Sequence, residues 1–382
     1  MRAQLAPQER FDKLRADAVF RAGKNLADLA YANAYDGASA AVRSVLAEAF
    51  AGERTLDLQY TPYGGATLTR RAVAEDLSLT HGNRFHWREI VMTPGAMSAL
   101  CIAFRCVRNE GEANEVLVIT PCWMDYVLYL ENLGMRARPV PLTAQHRLDL
   151  PALRAAIGKN TRAIVLSQPA NPTGHLYSAP ELAELAALLN AQQTPPLWIS
   201  DECHRQLLFA GARFTSPVEL YDRTCVIFSF GKSHFIQGQR IGYVAVSPRM
   251  PAARAFAGVL EQTVRAMGFC TPTALMQRAV PGLLQLSVET ARVEARSRRI
   301  ARGLHEAGYE VSPADGTFFL YVKAPIDDDF AFVEALAREG ILVLPSTIFH
   351  QRGFFRVAVT GSDAMIERAL PVFARVRAQV LA

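Results

Sequence analysis

The sequence predicts an α/β protein: a mostly parallel sheet covered by helices on both faces, joined to a smaller α+β part. Three observations predict it. Short, near-continuous apolar runs alternate with amphipathic stretches through the middle of the chain, as strands buried on both faces alternate with crossover helices. After about Pro272 the runs become shorter and more mixed. With 382 residues, half of them hydrophobic and a fifth charged, the chain can bury a large core.

The apolar runs, in order, are EIVMT at 89–93, EVLVIT at 115–120, RAIVLS at 162–167, PLWIS at 196–200, TCVIFS at 224–229 and IGYVAV at 241–246. Helical periodicity falls between several of them, over Ala96–Val107, Met124–Leu133 and Ala179–Leu189. Beyond them a long Arg/Glu/Leu-rich helix is expected over Leu283–Ala307. It leads into GYEVSP, GTFFLYVK, a helix from about Asp329, GILVLP, FFRVAVT and a closing helix. The expected division is a large part over 45–272 and a smaller one built from 1–44 and 273–382.

Composition excludes several classes. The net charge is 41 − 36, or +5, with no compact Lys/Arg run, so no nucleic-acid partner is expected. No stretch of 18 apolar residues appears, so no membrane span is expected, and the N-terminal residues show no apolar signal region. The six cysteines form no CxxC pair and read as free thiols of a reducing compartment, which makes a cytoplasmic protein the expectation.

In an open parallel sheet, ligands sit at the carboxyl ends of the strands, so the polar residues that close each apolar run are the candidates. ISDECH puts Asp201 and Glu202 at one strand end, where a carboxylate can face a cationic partner; a solvated loop acid would read the same way. FSFGKSHFIQGQR places Lys232 three residues after Ser229, with Arg240 eight further on. A P-loop would need Gly at Val226, so that motif fails. The remaining pattern suits an active amine beside a phosphate site. SQPANPTG offers the Asn171 amide in a turn, and MTPGAM leaves backbone N–H groups at a helix start around Gly95, Ala96 and Met97. Trp123 in TPCWMDY can pack in the core or stack on a flat ring. Arg356 in FFRVAVT has the fork geometry that fits a carboxylate.

Taken together and in this order, Y60-T-P-Y-G-G, T-P-G-A-M, P-C-W-M-D-Y, N-P-T-G, S-D-E-C-H, S-F-G-K…G-Q-R-I-G-Y and F-F-R-V-A-V resemble the class I/II aminotransferases of the aspartate aminotransferase superfamily. These are fold-type I pyridoxal 5′-phosphate (PLP) enzymes. The resemblance runs from about Asp28 to the C-terminus. It implies a seven-stranded, mostly parallel sheet and an amino transfer from an α-amino acid to a 2-oxo acid. It implies that Lys232 bonds the cofactor's aldehyde as an imine and then shuttles the substrate proton, while Asp201 pairs with the ring nitrogen and Asn171 bonds the phenolic oxygen. It also implies a phosphate site from Gly95, Ala96, Met97, Ser229 and Arg240, and a stacking role for Trp123. Arg356 would clamp the substrate carboxylate. A homodimer follows, in which Tyr60 reaches the partner's phosphate. Substrate selection is expected from the N-terminal segment LAYANAYDG, with Tyr31, Asn33 and Tyr35.

Two positions depart from the family pattern. His204 stands where a tyrosine usually bonds the phenolic oxygen, and an imidazole can hold a second proton near neutral pH. Gly231 stands where a phosphate-binding serine is common. Histidine also occurs at this position in the branch that cleaves C–S bonds by β-elimination, so a cysteine-conjugate or cystathionine-type lyase is the alternative. A third reading, a regulator carrying an aminotransferase-like domain beside a DNA-binding module, has no basic helix to support it. Arg265 falls near where members acting on acidic substrates place a partner-subunit arginine; a solvated helix-end role is expected instead.

Overall fold

The computed structural model describes residues 2–52, 58–109, 111 and 113–382. Strand β1 (Ala27–Asp28) comes first, after a helix over Arg2–Ala22. The main sheet has seven strands: β2 (Ile90–Thr93), β3 (Glu115–Thr120), β4 (Arg136–Pro141), β5 (Thr161–Ser167), β6 (Leu197–Asp201), β7 (Thr224–Ser229) and β8 (Gly242–Val246). Their spatial order is β2-β8-β7-β6-β5-β3-β4; β8 runs antiparallel to both of its neighbours and the other pairings are parallel. Every residue of β2, β3, β6, β7 and β8 is buried, as the unbroken apolar runs require of strands covered on both faces.

One strand has no counterpart among the apolar runs. β4, with sequence RARPVP, lies at the sheet edge and buries only Val140, and its two prolines cost nothing where no further strand needs their donors.

A three-stranded antiparallel sheet follows from β9 (Phe319–Lys323), β11 (Leu344–Pro345) and β12 (Phe354–Ala358), while β10 (Ile341–Leu342) pairs in parallel with β1. GILVLP thus splits between two partners. GYEVSP gives no strand, only an isolated bridge between Val311 and Val322. One core joins this sheet to Phe11 and Ala18 of the first helix and to the helices over Asp329–Arg338 and Asp363–Leu381.

The continuous helix expected over Leu283–Ala307 is two helices, Ala274–Leu284 and Thr290–Glu306. The first buries Met276, Ala279, Val280 and Leu283 against the main sheet's core, with the helices Ala40–Phe50 and Thr67–His81. The second buries Val293, Ile300 and Leu304 in the core of the smaller sheet. The two apolar faces serve different cores, so the chain turns between them although no proline or glycine marks the place. Arg296 then anchors this second helix through ion pairs to Asp36 and Asp363.

Candidate active site

Three strand ends and one helix start converge on a cavity of about 250 Å³. Its lining includes Ala96, Met97, Trp123, Asn171, Asp201, His204, Ser229, Lys232 and Arg240, nine of the residues singled out in the sequence.

Asp201 is the last residue of β6 and is buried. Each of its carboxylate oxygens takes one hydrogen bond. The Tyr126 hydroxyl donates to Oδ2 at 2.6 Å, and the Cys203 backbone N–H donates to Oδ1 at 3.2 Å. Neither donor carries charge, and Asp201 makes no ion pair among the described residues.

Lys232 sits in the helical turn Phe230–Ser233 that follows β7 at Ser229. Its amine lines the same cavity, 5.9 Å from the Phe318 ring centroid. Burial pushes its pKa down; Arg356 and Arg240 push the same way, while Cys203 and Asp201 oppose. The result favours a neutral amine at lower pH than an ordinary lysine allows.

That burial has a cost in stability with a definite sign. A lysine whose folded pKa is depressed binds fewer protons folded than unfolded. Its destabilisation is complete at low pH and fades as pH climbs toward the ordinary 10.5. Lys232→Met is therefore expected to raise the thermal midpoint of the cofactor-free protein at pH 7 by roughly 2–4 °C. Calorimetric scans at rising pH should show that advantage shrinking.

At the other end, Gly95 caps the helix Ala96–Val107 with φ of +84°, a conformation that L side chains rarely adopt. The first backbone N–H groups of this helix have no partner within it, and the Arg240 guanidinium lies against Gly95 at the same place. A Cβ at Gly95 would lie 2.5 Å from Arg240 Nη2, so the glycine is also what lets the arginine approach. Arg240 is fixed by donating from Nη1 to the Gln237 carbonyl at 2.7 Å. It makes no ion pair to a carboxylate among the described residues.

Arg356 lies in the middle of β12, 3% exposed, and borders the cavity through Asn171. Its Nη1 donates to Asn171 Oδ1 at 2.8 Å and Nη2 to the Ala30 carbonyl at 2.9 Å. Phe319 and Phe349 cover the guanidinium, 3.8 and 4.7 Å from their ring centroids. Its Nε has no acceptor, and burial pushes its pKa down to about 9. A desolvated guanidinium without an anion is built to receive a carboxylate. Because Asn171 spends its oxygen on Arg356, its amide N–H groups remain for the cavity.

His204 corrects the expectation of a second proton near neutral pH. It is 3% exposed, with Phe318 and Phe319 edge-on at 5.4 and 5.6 Å, and both ring nitrogens lack partners. Burial, reinforced by Lys232 and Arg356, drives its pKa well below 6.5, so the ring is neutral.

Gly95, Arg356, Tyr31 and Tyr35 lie outside the cavity lining, the first two against Arg240 and Asn171 of it. Tyr60 is 98% exposed, and Asn33 is exposed and outside the lining. Trp123 lines the cavity and packs edge-on to Tyr126 and Tyr129. Arg265, in the last turn of the helix Ala253–Ala266, is exposed over the Tyr63 ring. Sequence reasoning missed Tyr126 and Gln237. Tyr126 stands one helical turn after Trp123, a spacing that offered a signal; Gln237, which lines the cavity and donates to the Ala32 carbonyl at 2.9 Å, offered none.

Comparison with known proteins agrees with this geometry. The family model described as "Aminotransferase class I and II" matches residues 26–373. The aspartate/prephenate aminotransferase of Thermus thermophilus is 29% identical over 330 residues, 83% of each chain. A probable aspartate/prephenate aminotransferase of Rhizobium leguminosarum is 28% identical over 335 residues, 82% of each. Among solved structures, an aminotransferase from Eubacterium rectale superimposes with a TM-score of 0.90 at 26% identity, covering 97% of this chain and 95% of that one. Thermus thermophilus aspartate aminotransferase with maleate gives 0.85 at 25% identity, covering 96% of each. None of these names favours the C–S lyase alternative. With a family match spanning nearly its whole length and a strand order to go with it, this chain belongs to the class I and II aminotransferases.

Proposed function

We propose that the protein is a PLP-dependent aminotransferase that moves the amino group of an α-amino acid to a 2-oxo acid, with Lys232 as its central amine. One observation carries the reading: a single cavity holds a buried amine, an uncompensated carboxylate and an anion cradle. This donor set fits the cofactor, since a phosphate suits the Gly95–Met97 helix start with Ser229 and Arg240. A protonated ring nitrogen suits Asp201. The partnerless nitrogens of neutral His204 and the free amide of Asn171 suit a phenolic oxygen.

The chemistry that PLP supplies when bound is an aldehyde carbon that takes up amines and a cationic ring that withdraws electrons from the bond broken at the amino acid Cα. The chain's residues do the rest. Asp201, oriented by the Tyr126 hydroxyl and the Cys203 N–H, would face the ring nitrogen and hold its proton. Lys232, favoured as a neutral amine, serves as nucleophile and then takes the proton from the substrate Cα. Arg356 holds the substrate carboxylate so that this Cα–H bond faces the amine. Trp123 supplies an aromatic face for the ring.

The test is spectral. Purified protein given PLP should absorb in the visible, and borohydride should fix the adduct at Lys232. Amino acids offered without a 2-oxo acid should then shift the absorbance toward the near-UV, releasing one oxo acid per site. The names of the relatives put aspartate first in that panel. Pyruvate and ammonia released in place of that shift would favour the eliminating alternative. A protein that stays colourless and gives no adduct would end the reading.

The phosphate cradle has its own test. Gly95→Ala forces a Cβ against Arg240 and strains the φ of +84°, so PLP affinity is expected to fall by about tenfold or more in a fluorescence titration.

A homodimer completes the proposal. Tyr60, with Leu58 and Leu68 at 67% and 69% exposure, supports an interface through which Tyr60 reaches the partner's phosphate. Light scattering at micromolar concentration should give twice the chain mass. We also propose the division into 45–272 and 1–44 with 273–382, the helix Ala274–Leu284 riding on the larger part. Cytoplasmic residence is supported by six unpaired cysteines.

A further inference from the structure

Beside Asp201 the chain buries a second acid that the proposed mechanism does not use. Glu202 is 0% exposed. Its Oε1 accepts hydrogen bonds from the Ser200 hydroxyl, at 2.9 Å, and from the Ser216 hydroxyl. Its Oε2 faces Arg205 Nη1 at 3.4 Å. Arg205 is itself 6% exposed. Its Nη2 donates to the Tyr243 hydroxyl at 2.7 Å and lies 3.5 Å from Asp76 Oδ2 on the helix Thr67–His81. The guanidinium also lies over the Phe228 ring, 4.4 Å from its centroid.

The same turn is tied down by its backbone. The Glu202 N–H donates to the Ile227 carbonyl of β7 at 2.9 Å, and the Arg205 N–H to the Glu202 carbonyl at 3.0 Å. This turn carries Asp201 at its start, supplies the Cys203 N–H to Asp201, and ends beside His204. Network and cavity therefore share one stretch of chain.

Charge decides what the network does. A buried carboxylate has to be met by a cation or by hydrogen-bond donors. Arg205 compensates Glu202. Asp201 has only the neutral partners Tyr126 and Cys203. The other titratable groups around the network are Asp76, which also feels His81; Tyr243; and Cys203, whose thiol feels Asp201, Lys232 and Arg205.

We infer that Arg205 is a positioning residue for the amino transfer: by pairing with Glu202 it fixes the turn over 202–205 and leaves Asp201 as the one uncompensated carboxylate offered to the cofactor's ring nitrogen. This rests on the PLP reading above.

The experiment is a pH titration of the visible absorbance of the PLP-loaded protein, with thermal unfolding of the cofactor-free protein beside it. Arg205→Met takes the cation away from both Glu202 and Asp76, so the absorbance midpoint should rise by about half a unit or more. Its PLP dissociation constant should rise by about tenfold or more. Glu202→Gln removes a negative charge and should lower the midpoint. The double variant restores the net charge and should return the midpoint to within about 0.2 unit of the parent, whatever its stability. Opposite shifts that cancel are a charge signature, which lost packing would not give. Shifts in the same direction, or none, alongside lowered stability would make the network a scaffold only and overturn the inference. Should Arg205→Met not fold, Arg205→Lys and Glu202→Gln decide: a kept midpoint in the first and a lowered one in the second support it, and any other pair overturns it. A parent protein that gains no visible absorbance with PLP removes the cofactor reading, and this inference with it.

Discussion

Replacing Lys232 by alanine is expected to reduce turnover by about 10⁴-fold or more, because one side chain holds two roles. On the proposed reading it would split a hard exchange into easier steps as a nucleophile and move the Cα proton as a base; a positioned general base alone contributes about 10²–10⁴. No neighbour can stand in. His204 is a candidate base by type, but burial and then Arg356 hold its pKa down and make it a weak base, and Phe318 and Phe319 pack edge-on against its ring. Cys203 is held as a thiol, its pKa driven well up by burial and by Asp201. Lys232→Ala should still bind PLP through Arg240 and the helix start, so the measurement separates binding from chemistry. The expected result is retained affinity within about tenfold, no borohydride-fixed adduct and no amino transfer. Turnover within tenfold of the parent would show that another amine does the work. Added small amines are expected to restore part of the rate, since the cavity vacated by the lysine side chain would admit them.

The same site shows what a sequence does and does not disclose. Asp201, Ser229 and Lys232 were legible because each closes or directly follows an unbroken apolar run, and a polar residue there has little reason to be buried other than chemistry. Asn171 and Gly95 were legible through turn chemistry. Tyr126 was hidden because a tyrosine on the apolar face of a helix looks like core, which it also is; only its hydroxyl, 2.6 Å from Asp201, sets it apart. Arg205 was hidden for a different reason. Glu202 is only three residues away, but Asp76 and Tyr243 lie on elements far from Arg205 in the chain, and no local period links them to it. Tertiary competition explains the misread fold elements as well. β4 was missed because an edge strand can afford prolines, and the break between Leu284 and Thr290 because two cores claim two halves of one helical pattern. Local propensity does not know which core a face will meet.

Arg356 carries the other large expectation, and its logic is the energetics of a buried cation. The guanidinium has left water, sits against Phe319 and Phe349, and among the described residues has an amide and a carbonyl as its only oxygen partners. A substrate carboxylate supplies the missing anion, so the interaction forms in a site already desolvated. Truncating one partner of such a pair costs about 2–5 kcal/mol. Arg356→Gln should therefore lower kcat/KM for an α-amino acid by about 10²–10³, most of it in KM. PLP affinity should stay unchanged, because Arg356 meets the cavity through Asn171 and takes no part in the phosphate cradle. A neutral amine of the same side chain lacks the carboxylate and should lose almost nothing, so the preference for amino acid over amine should collapse in the variant. Arg356→Lys should recover only part of the loss. An ammonium offers a point charge but not two parallel donors, and it must also release Asn171 from its present bond. If the amino acid and its amine fall together in Arg356→Gln, the arginine is holding the fold of β12 and the carboxylate binds elsewhere.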